Sequence, residues 1–402
     1  LRARRADRRG RRVSSEPTPA QARARWFDAL AEAGWLAPLA AESASIADAA
    51  GRVLAADVAA ERAVPPVRVA AMDGIAVRAA DTADAPVMIA GDSFAPVDTG
   101  APVPDAFDAV VRREQVSIDG AGAQVRVVVE PGADIRPVGE DVPVGEVLLA
   151  AGHVLSPFDV GLLAASGHTA VDVHRRPRVA VIPTGDELRS PGEHLEAHHT
   201  IDSNCPMLAA QATADGAVAT IHPRVPDDPH HLSEEVMRAV LQNDVVLLVA
   251  GSSRGRRDHS RDVLAELGDI AVDGVAVRPG HPVLLAVVGT TPVIGVPGYP
   301  VSAAFTYELF AHPLLGALVG RTAERASVAV ILDADAGGRE DSECMVAVRF
   351  SAGAEHRLHA TPLSRRAAAL HSLAQADGYI VVPPGPGIAA GTTVPAFLLR
   401  DR

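Results

Sequence analysis

Between about residues 176 and 322 short apolar runs alternate with longer amphipathic stretches, and this alternation constrains the fold more than any other feature of the chain. A strand buried on both faces reads as a continuous run of Val, Ile and Leu, and neighbouring parallel strands need a crossover of a dozen or more residues, most often a helix. Val179 to Ile182, Ala217 to Ile221, Asp244 to Val249 and Val283 to Val287 fit such strands, with shorter ones near Val275 and Val293. Asn204 to Ala214, His230 to Gln242, Ser260 to Leu267 and Val301 to Leu318 fit the helices between them. The rhythm predicts a three-layer α/β domain with a parallel-rich sheet.

The flanks have other patterns. Residues 17–54 read as two short helices, with Ser45 as an N-cap and Gly51 as a stop, and residues 145–175 return to helix after Ser156-Pro157. Residues 62–144 carry alternating valines with turn pairs such as Asp119-Gly120 and Pro131-Gly132, which predicts a β-rich insertion. After Arg321 the pattern is again β-like. The expected organisation is a disordered basic leader (1–17), a discontinuous helical linking domain (18–61 and 145–175), the β-rich insertion (62–144), the α/β domain (176–322) and a C-terminal β-domain (323–402).

Composition removes several classes of function. With 48% apolar residues among 402, the chain can bury several cores, and no apolar stretch reaches the roughly 18 residues of a spanning helix, so a cytoplasmic protein is expected. The two cysteines, Cys205 and Cys344, match no zinc or redox spacing and read as free thiols. All 37 basic residues are arginine, which excludes a Schiff-base lysine and the lysine of a GxxxxGK[ST] loop. A net charge of −13 argues against nucleic acid and anionic membrane as partners, although the first twelve residues carry seven arginines.

An open parallel sheet binds ligands beyond the carboxyl ends of its strands, which directs attention to four loops. In Thr184-Gly185-Asp186-Glu187 the glycine lets backbone approach a ligand, and the adjacent carboxylates suit a hard cation; the alternative is a tight turn whose acids face water. Gly251, Ser252, Ser253 and Gly255 form a loop able to aim N–H groups and hydroxyls at phosphate, followed by Arg254, Arg256, Arg257 and Asp258, or else a solvated charge run. Arg278-Pro-Gly-His281-Pro presents two oxyanion donors on a rigid turn, unless it is a turn alone. In Pro297-Gly298-Tyr-Pro-Val-Ser302 the start of a helix offers N–H groups near Ser302, with Tyr299 as ordinary packing in the alternative.

These loops, in this order, resemble those of the MoeA/gephyrin family of molybdopterin molybdenumtransferases. The resemblance runs over most of residues 18–402 and includes MDG (72–74), TGAPVP (99–104), DAVV (108–111), GED (139–141), TGDEL (184–188), DDPH (227–230), Asp258, PGHP and PGYPVSA. It implies a homodimer of elongated four-domain subunits that takes adenylylated molybdopterin and molybdate, inserts molybdenum and releases AMP with Mg2+. It implies molybdopterin adenylyltransferase and molybdoenzymes as partners. Carried over by position, Asp186, Glu187, Asp227 and Asp258 line the cleft, with Asp186, Glu187 and Asp227 as metal ligands. Asp73, Thr99 and Asp141 approach from the insertion of the partner subunit. Thr184, Gly185, Gly251, Ser252, Ser253, Arg254, Arg278, His281, Gly298 and Ser302 bind substrate. The family carries lysine where this chain has Arg278 and His281, and serine-rich loops with PGYP mark a subgroup. Asp98 adds an acid before TGAPVP. These departures motivate a second expectation, a molybdopterin-binding scaffold or sensor, and the shared α/β domain a third, a molybdopterin adenylyltransferase.

Overall fold

The computed structural model describes residues 16–35, 37–120, 122–249, 259–322, 324–353, 357–364 and 366–399. The chain divides into two compact units, one formed by Leu1–Ala40 with Arg175–Arg402 and the other by Ala41–His174.

The first unit begins with helix α1 (Pro19–Glu32), started by a capping box in which Thr18 and Gln21 exchange side-chain and backbone bonds. Trp26 on this helix is fully buried and its indole N–H donates to Ala286 O at 2.9 Å. The α/β layer follows as β1 (Arg178–Pro183), α2 (Asn204–Ala214), β2 (Val218–Ile221), α3 (Pro229–Gln242), β3 (Val245–Val249), α4 (Ser260–Leu267), β4 (Asp269–Asp273), β5 (Leu284–Val288), β6 (Thr291–Val296) and α5 (Pro300–Thr306). Its sheet order is β2-β1-β3-β6-β5-β4. The first three pairings are parallel and the last two antiparallel. The expected strands and helices of this region therefore stand, except that Val301 to Leu318 runs as α5, a π-helical turn over Tyr307–Ala311 and a helix over His312–Leu318, and that one strand is redistributed near Val275. Asp269–Asp273 takes the sheet edge, while Val277–Arg278 pairs with Glu343–Ala352 of the C-terminal sheet. Apolar side chains of β1, β3, β5 and β6 fill one core with α1 and α2 and a second with α3 and α4.

Residues 327–398 form a closed β-structure: Glu343–Ala352, Leu358–Pro362, Ser327–Leu332, Thr393–Leu398 and Gly378–Val382 pair in turn, and the last pairs back with the first. Closure pairs these five strands in a ring and buries Val330, Leu332, Val346, Val348, Ile380 and Val382. Cys205 and Cys344 are buried free thiols, and burial pushes the Cys205 thiol up.

In the second unit Ala41–Ser45, which leads into the helix expected after the Ser45 cap, is a strand and pairs antiparallel with Ala170–His174. Ser45 does cap, accepting from Ala47 N–H at 3.3 Å, but only over the single turn Ile46–Asp48. AESAS pairs with the alternating strand AVDVH, and the two satisfy each other's backbone groups across the ladder, which an isolated short helix cannot do as well. Helix Pro157–Ala165 opens at Ser156-Pro157, as the sequence predicts, and Ser156 also forms a capping box with Asp159. The insertion contains two three-stranded sheets, Ala95–Val97, Gly74–Val77, Ala109–Arg112 and Val87–Ala90, Gly122–Val125, Val116–Asp119. No helix of the described residues is long and apolar enough to cross a membrane. Helix α1, expected with residues 145–175 in one linking domain, falls in the unit that holds the α/β sheet.

Candidate functional site

The register of the large sheet brings separate turns to one end. Residues after β1, β3 and β6 emerge together because these strands are parallel, Pro183 pairing with Val249 and Val249 with Val296. The Arg278 to Pro282 turn enters β5 instead of leaving a strand. It reaches the same end because β5 runs antiparallel to β6, with Leu284 opposite Gly295. The sequence expectation of one gathered set of turns thus holds for TGDE, PGHP and PGYP. Gly251, Ser252, Ser253, Arg254, Arg256, Arg257 and Asp258 lie outside the described residues.

Thr184 prolongs β1 by one residue. It is buried, its N–H and hydroxyl both donate to Val249 O, at 3.2 and 3.0 Å, and it bridges to Val225. Its hydroxyl is therefore spent on holding the ends of two strands together. Gly185 follows at φ +129°, and a Cβ there would lie 2.7 Å from Glu187 Oε2, so the turn needs glycine both for its backbone and for the carboxylate folded over it. Asp186 is exposed, with Oδ1 at 3.8 Å from Arg224 Nη1. Arg189 donates to Asp186 O at 2.9 Å, and its guanidinium also meets His199 Nε2. Burial, then the charges of Arg189 and His198, lower the pKa of His199.

Asp227 is half-buried in the loop before α3, where Asp228 is the N-cap and accepts from His231 N–H at 2.9 Å. Asp186, Glu187 and Asp227, the expected metal ligands, do not converge. Among the described residues the one group of three ligating side chains within 4.8 Å is Glu196, His198 and His199. Asp227 leaves the edge strand β2, and Asp186 is turned toward Arg224, which separates the carboxylates.

On the PGHP turn, Gly280 adopts φ +110° with its Cβ position 3.4 Å from Thr306 Oγ1, so the turn packs on α5. Arg278 is half-buried and donates to Val277 O at 3.0 Å. His281 Nδ1 lies 2.9 Å from Glu16 Oε2 and 3.1 Å from Val275 O. On the PGYP turn, Gly298 O accepts from Asn204 Nδ2 at 2.7 Å. The start of α5 is not open as expected: Val301 N–H donates to Ala367 O at 2.9 Å and Ser302 is buried. Tyr299, offered as packing in the alternative, is 62% exposed.

Sequence reasoning missed Asp202, Asn204 and Arg224. Asp202 Oδ1 accepts from the N–H groups of Asn204 and Cys205, at 3.1 and 3.0 Å, which fixes the start of α2 and aims Asn204 at Gly298. Asn204 Oδ1 and Thr306 Oγ1 are buried without a hydrogen-bond partner. The DSN tripeptide before an apolar helix was the available signal, since short acceptors at helix starts satisfy free N–H groups.

In the second unit Asp73 and Thr99 are brought together. Asp73 Oδ1 accepts from Thr99 N at 2.7 Å and Thr99 Oγ1 at 2.8 Å, and these bonds, backbone first, hold its carboxyl below the usual range. A Cβ on Gly74 would sit 1.9 Å from Val111 O, so the glycine of MDG is demanded by strand approach. Asp141 is exposed, its N–H donating to Val64 O at 2.9 Å.

Three family models match the chain: the MoeA N-terminal region (domain I and II) over residues 18–167, a probable molybdopterin binding domain over 180–317, and the MoeA C-terminal region (domain IV) over 339–399. Molybdopterin molybdenumtransferase 2 of Mycobacterium tuberculosis is 32% identical over 385 residues, covering 86% of this chain and 92% of the relative. Molybdopterin molybdenumtransferase of Bacillus subtilis is 29% identical, with 90% of each chain covered. The crystal structure of a MoeA molybdopterin biosynthesis protein from Pyrococcus horikosii superposes with a TM-score of 0.79 at 28% identity, over 94% of this chain and 99% of that one. With its α/β sheet, β-rich insertion and C-terminal β-domain each accounted for in chain order, the chain belongs to the MoeA family.

Proposed function

We propose that this chain inserts molybdate-derived molybdenum into adenylylated molybdopterin and releases AMP, as a magnesium-dependent enzyme of molybdenum cofactor biosynthesis. The observation that carries the reading is the gathering of TGDE, PGHP and PGYP at one end of one sheet, in a family whose curated members are named for this transfer.

The donor chemistry fits Mg2+, which takes oxygen ligands, keeps several waters and shares its shell with substrate phosphates. Asp186 and Glu187 are adjacent carboxylates at the turn, and they would hold the ion. Bound there, it would neutralise charge on the adenylate phosphate. The chain's own part is to bind and orient. Arg278 holds an oxyanion, and the arginines at 254, 256 and 257 hold phosphate with Gly251, Ser252 and Ser253. Asp258 serves as the base or ligand at the adenylate. Asp73, Thr99 and Asp141 complete the cleft from the partner subunit of a homodimer. Delivery would come from a molybdopterin adenylyltransferase and transfer would go to molybdoenzymes, in the cytoplasm.

The test is to mix purified protein with adenylylated molybdopterin, Mg2+ and molybdate and to assay AMP and metallated cofactor together. Both products should form one for one, and Arg278→Ala should lower their rate about 100-fold to 1000-fold, the cost of removing an oxyanion donor. Absence of both products with the ligand tightly bound would overturn the transferase reading. One observation favours that second outcome, a binding scaffold: His281 is engaged by the Glu16 carboxylate, which offsets positive charge at the turn.

A further inference from the structure

The segment Glu193-His-Leu-Glu-Ala-His-His199 lies between the TGDE turn and α2, and none of the roles above uses its histidines. It is bracketed by a short parallel pairing, Leu188 with Thr200 and Arg189 with Ile201, which fixes both ends. A turn closes over its last four residues, with His199 N–H donating to Glu196 O at 3.0 Å. That turn puts the two imidazoles side by side, ring centroids 4.0 Å apart, with His198 Nδ1 3.7 Å from Glu196 Oε2. The three ligating atoms all lie within 4.8 Å of one another.

We propose that Glu196, His198 and His199 form a binding site for a divalent first-row transition ion of the zinc class, separate from any ion held by Asp186 and Glu187. Two imidazoles and one carboxylate are a ligand set for Zn2+, Cu2+ or Ni2+, whereas Mg2+ prefers oxygen alone. Ligands at about 2.0–2.2 Å from a tetrahedral ion stand roughly 3.3 Å apart. Glu196 and His198 are exposed and His199 half-buried, so closing the remaining gap takes side-chain rotation and not a backbone change. His199 also lacks a settled pair of partners. Glu196 N–H approaches its Nδ1 at 3.1 Å while the Arg189 guanidinium approaches Nε2, and a neutral imidazole has one acceptor nitrogen, so no placement of its proton suits both. Three protein ligands leave the coordination open to water.

The test uses the untagged full-length chain, stripped with a chelator and titrated calorimetrically with Zn2+ alone. One ion should bind per chain, and His198→Ala, His199→Ala and Glu196→Gln should each weaken binding by about 10-fold to 100-fold or more, as loss of metal-site groups does. His231→Ala on α3 should leave it unchanged. Excess Mg2+ should not compete. Co2+ in place of Zn2+ should give visible absorption that the histidine variants lose. Binding that survives the His198→Ala/His199→Ala double variant, competition by Mg2+, or no stoichiometric ion would each overturn the site. Glu196→Gln, on an exposed side chain that supports no core, keeps the test valid if a histidine variant loses the loop's fold.

Discussion

Removing Arg325 should expose how the α/β layer is locked to the segment that leads into the C-terminal domain. Its guanidinium donates to Glu308 Oε2 at 2.8 Å and Oε1 at 3.1 Å, and to Asp215 Oδ1 at 2.9 Å and Oδ2 at 3.2 Å. The two carboxylates are almost closed to solvent, at 5% and 2% side-chain exposure, while Arg325 keeps 26%. Asp215 also accepts from Tyr307 Oη at 2.7 Å and meets His312 Nδ1 at 2.8 Å. Burial alone would raise the Asp215 carboxyl, but hydrogen bonds from His312 and Tyr307 and the charge of Arg325 outweigh it and leave it lowered. Arg325→Ala leaves two buried carboxylates without their counter-charge, Asp215 keeping Tyr307 and His312 and Glu308 keeping Gln211 Nε2 at 3.2 Å, and breaking such a pair costs about 3–5 kcal/mol. At roughly 2 °C per kcal/mol for a unit this large, the melting temperature should fall about 6–10 °C.

The pH dependence gives a second reading of the same prediction. With its pKa depressed, Asp215 contributes stability above its unfolded value of about 3.8, lost as pH falls through the folded value. In the variant the charge of Arg325 no longer lowers the Asp215 carboxyl, although the hydrogen bonds of His312 and Tyr307 remain, so Asp215 takes a proton at higher pH than in wild type. The gap between wild type and variant should therefore hold at neutral pH and narrow as pH falls toward and below about 3.8 in calorimetric scans. An Asp215→Asn/Glu308→Gln/Arg325→Met triple variant should recover much of the loss. A fall of less than about 2 °C at neutral pH, where one kcal/mol is worth that much, or a gap that ignores pH, would refute the argument.

Gly74→Ala should disrupt the insertion, because its Cβ would lie 1.9 Å from Val111 O and backbone cannot yield as a flexible side chain would; limited proteolysis should cut residues 62–144 faster than in wild type. Trp26→Ala should cost about 3–5 kcal/mol in urea unfolding, since the ring is fully buried and its N–H is bonded to Ala286 O, and a loss under 1 kcal/mol would mean α1 contributes little to this unit. Asp73→Ala should speed amide exchange at Thr99, whose N–H and hydroxyl both bond the carboxylate; because that carboxyl is held below its ordinary 3.8, wild-type protection should persist well into acid before failing.

The sequence by itself determined the elements of the α/β layer, because their cues are local. Asn204–Ala214 and Ser260–Leu267 have the boundaries the pattern predicts. The capping box at Ser156 is likewise carried by four neighbouring residues. Ordered motifs also fixed the family. What sequence could not settle depends on groups distant in the chain. AESAS became a strand because Ala170–His174 lay opposite it, and Val277–Arg278 left the α/β sheet because Glu343–Ala352 offered a partner. The helix start at Ser302 reads as an anion site until Ala367 O takes the Val301 N–H. Thr184 reads as a ligand contact until its hydroxyl is found on Val249 O. Local propensity chooses elements, whereas each backbone donor and buried hydroxyl takes whichever acceptor the tertiary fold brings within 3 Å or so. That choice decides which residues of a motif remain free for a ligand.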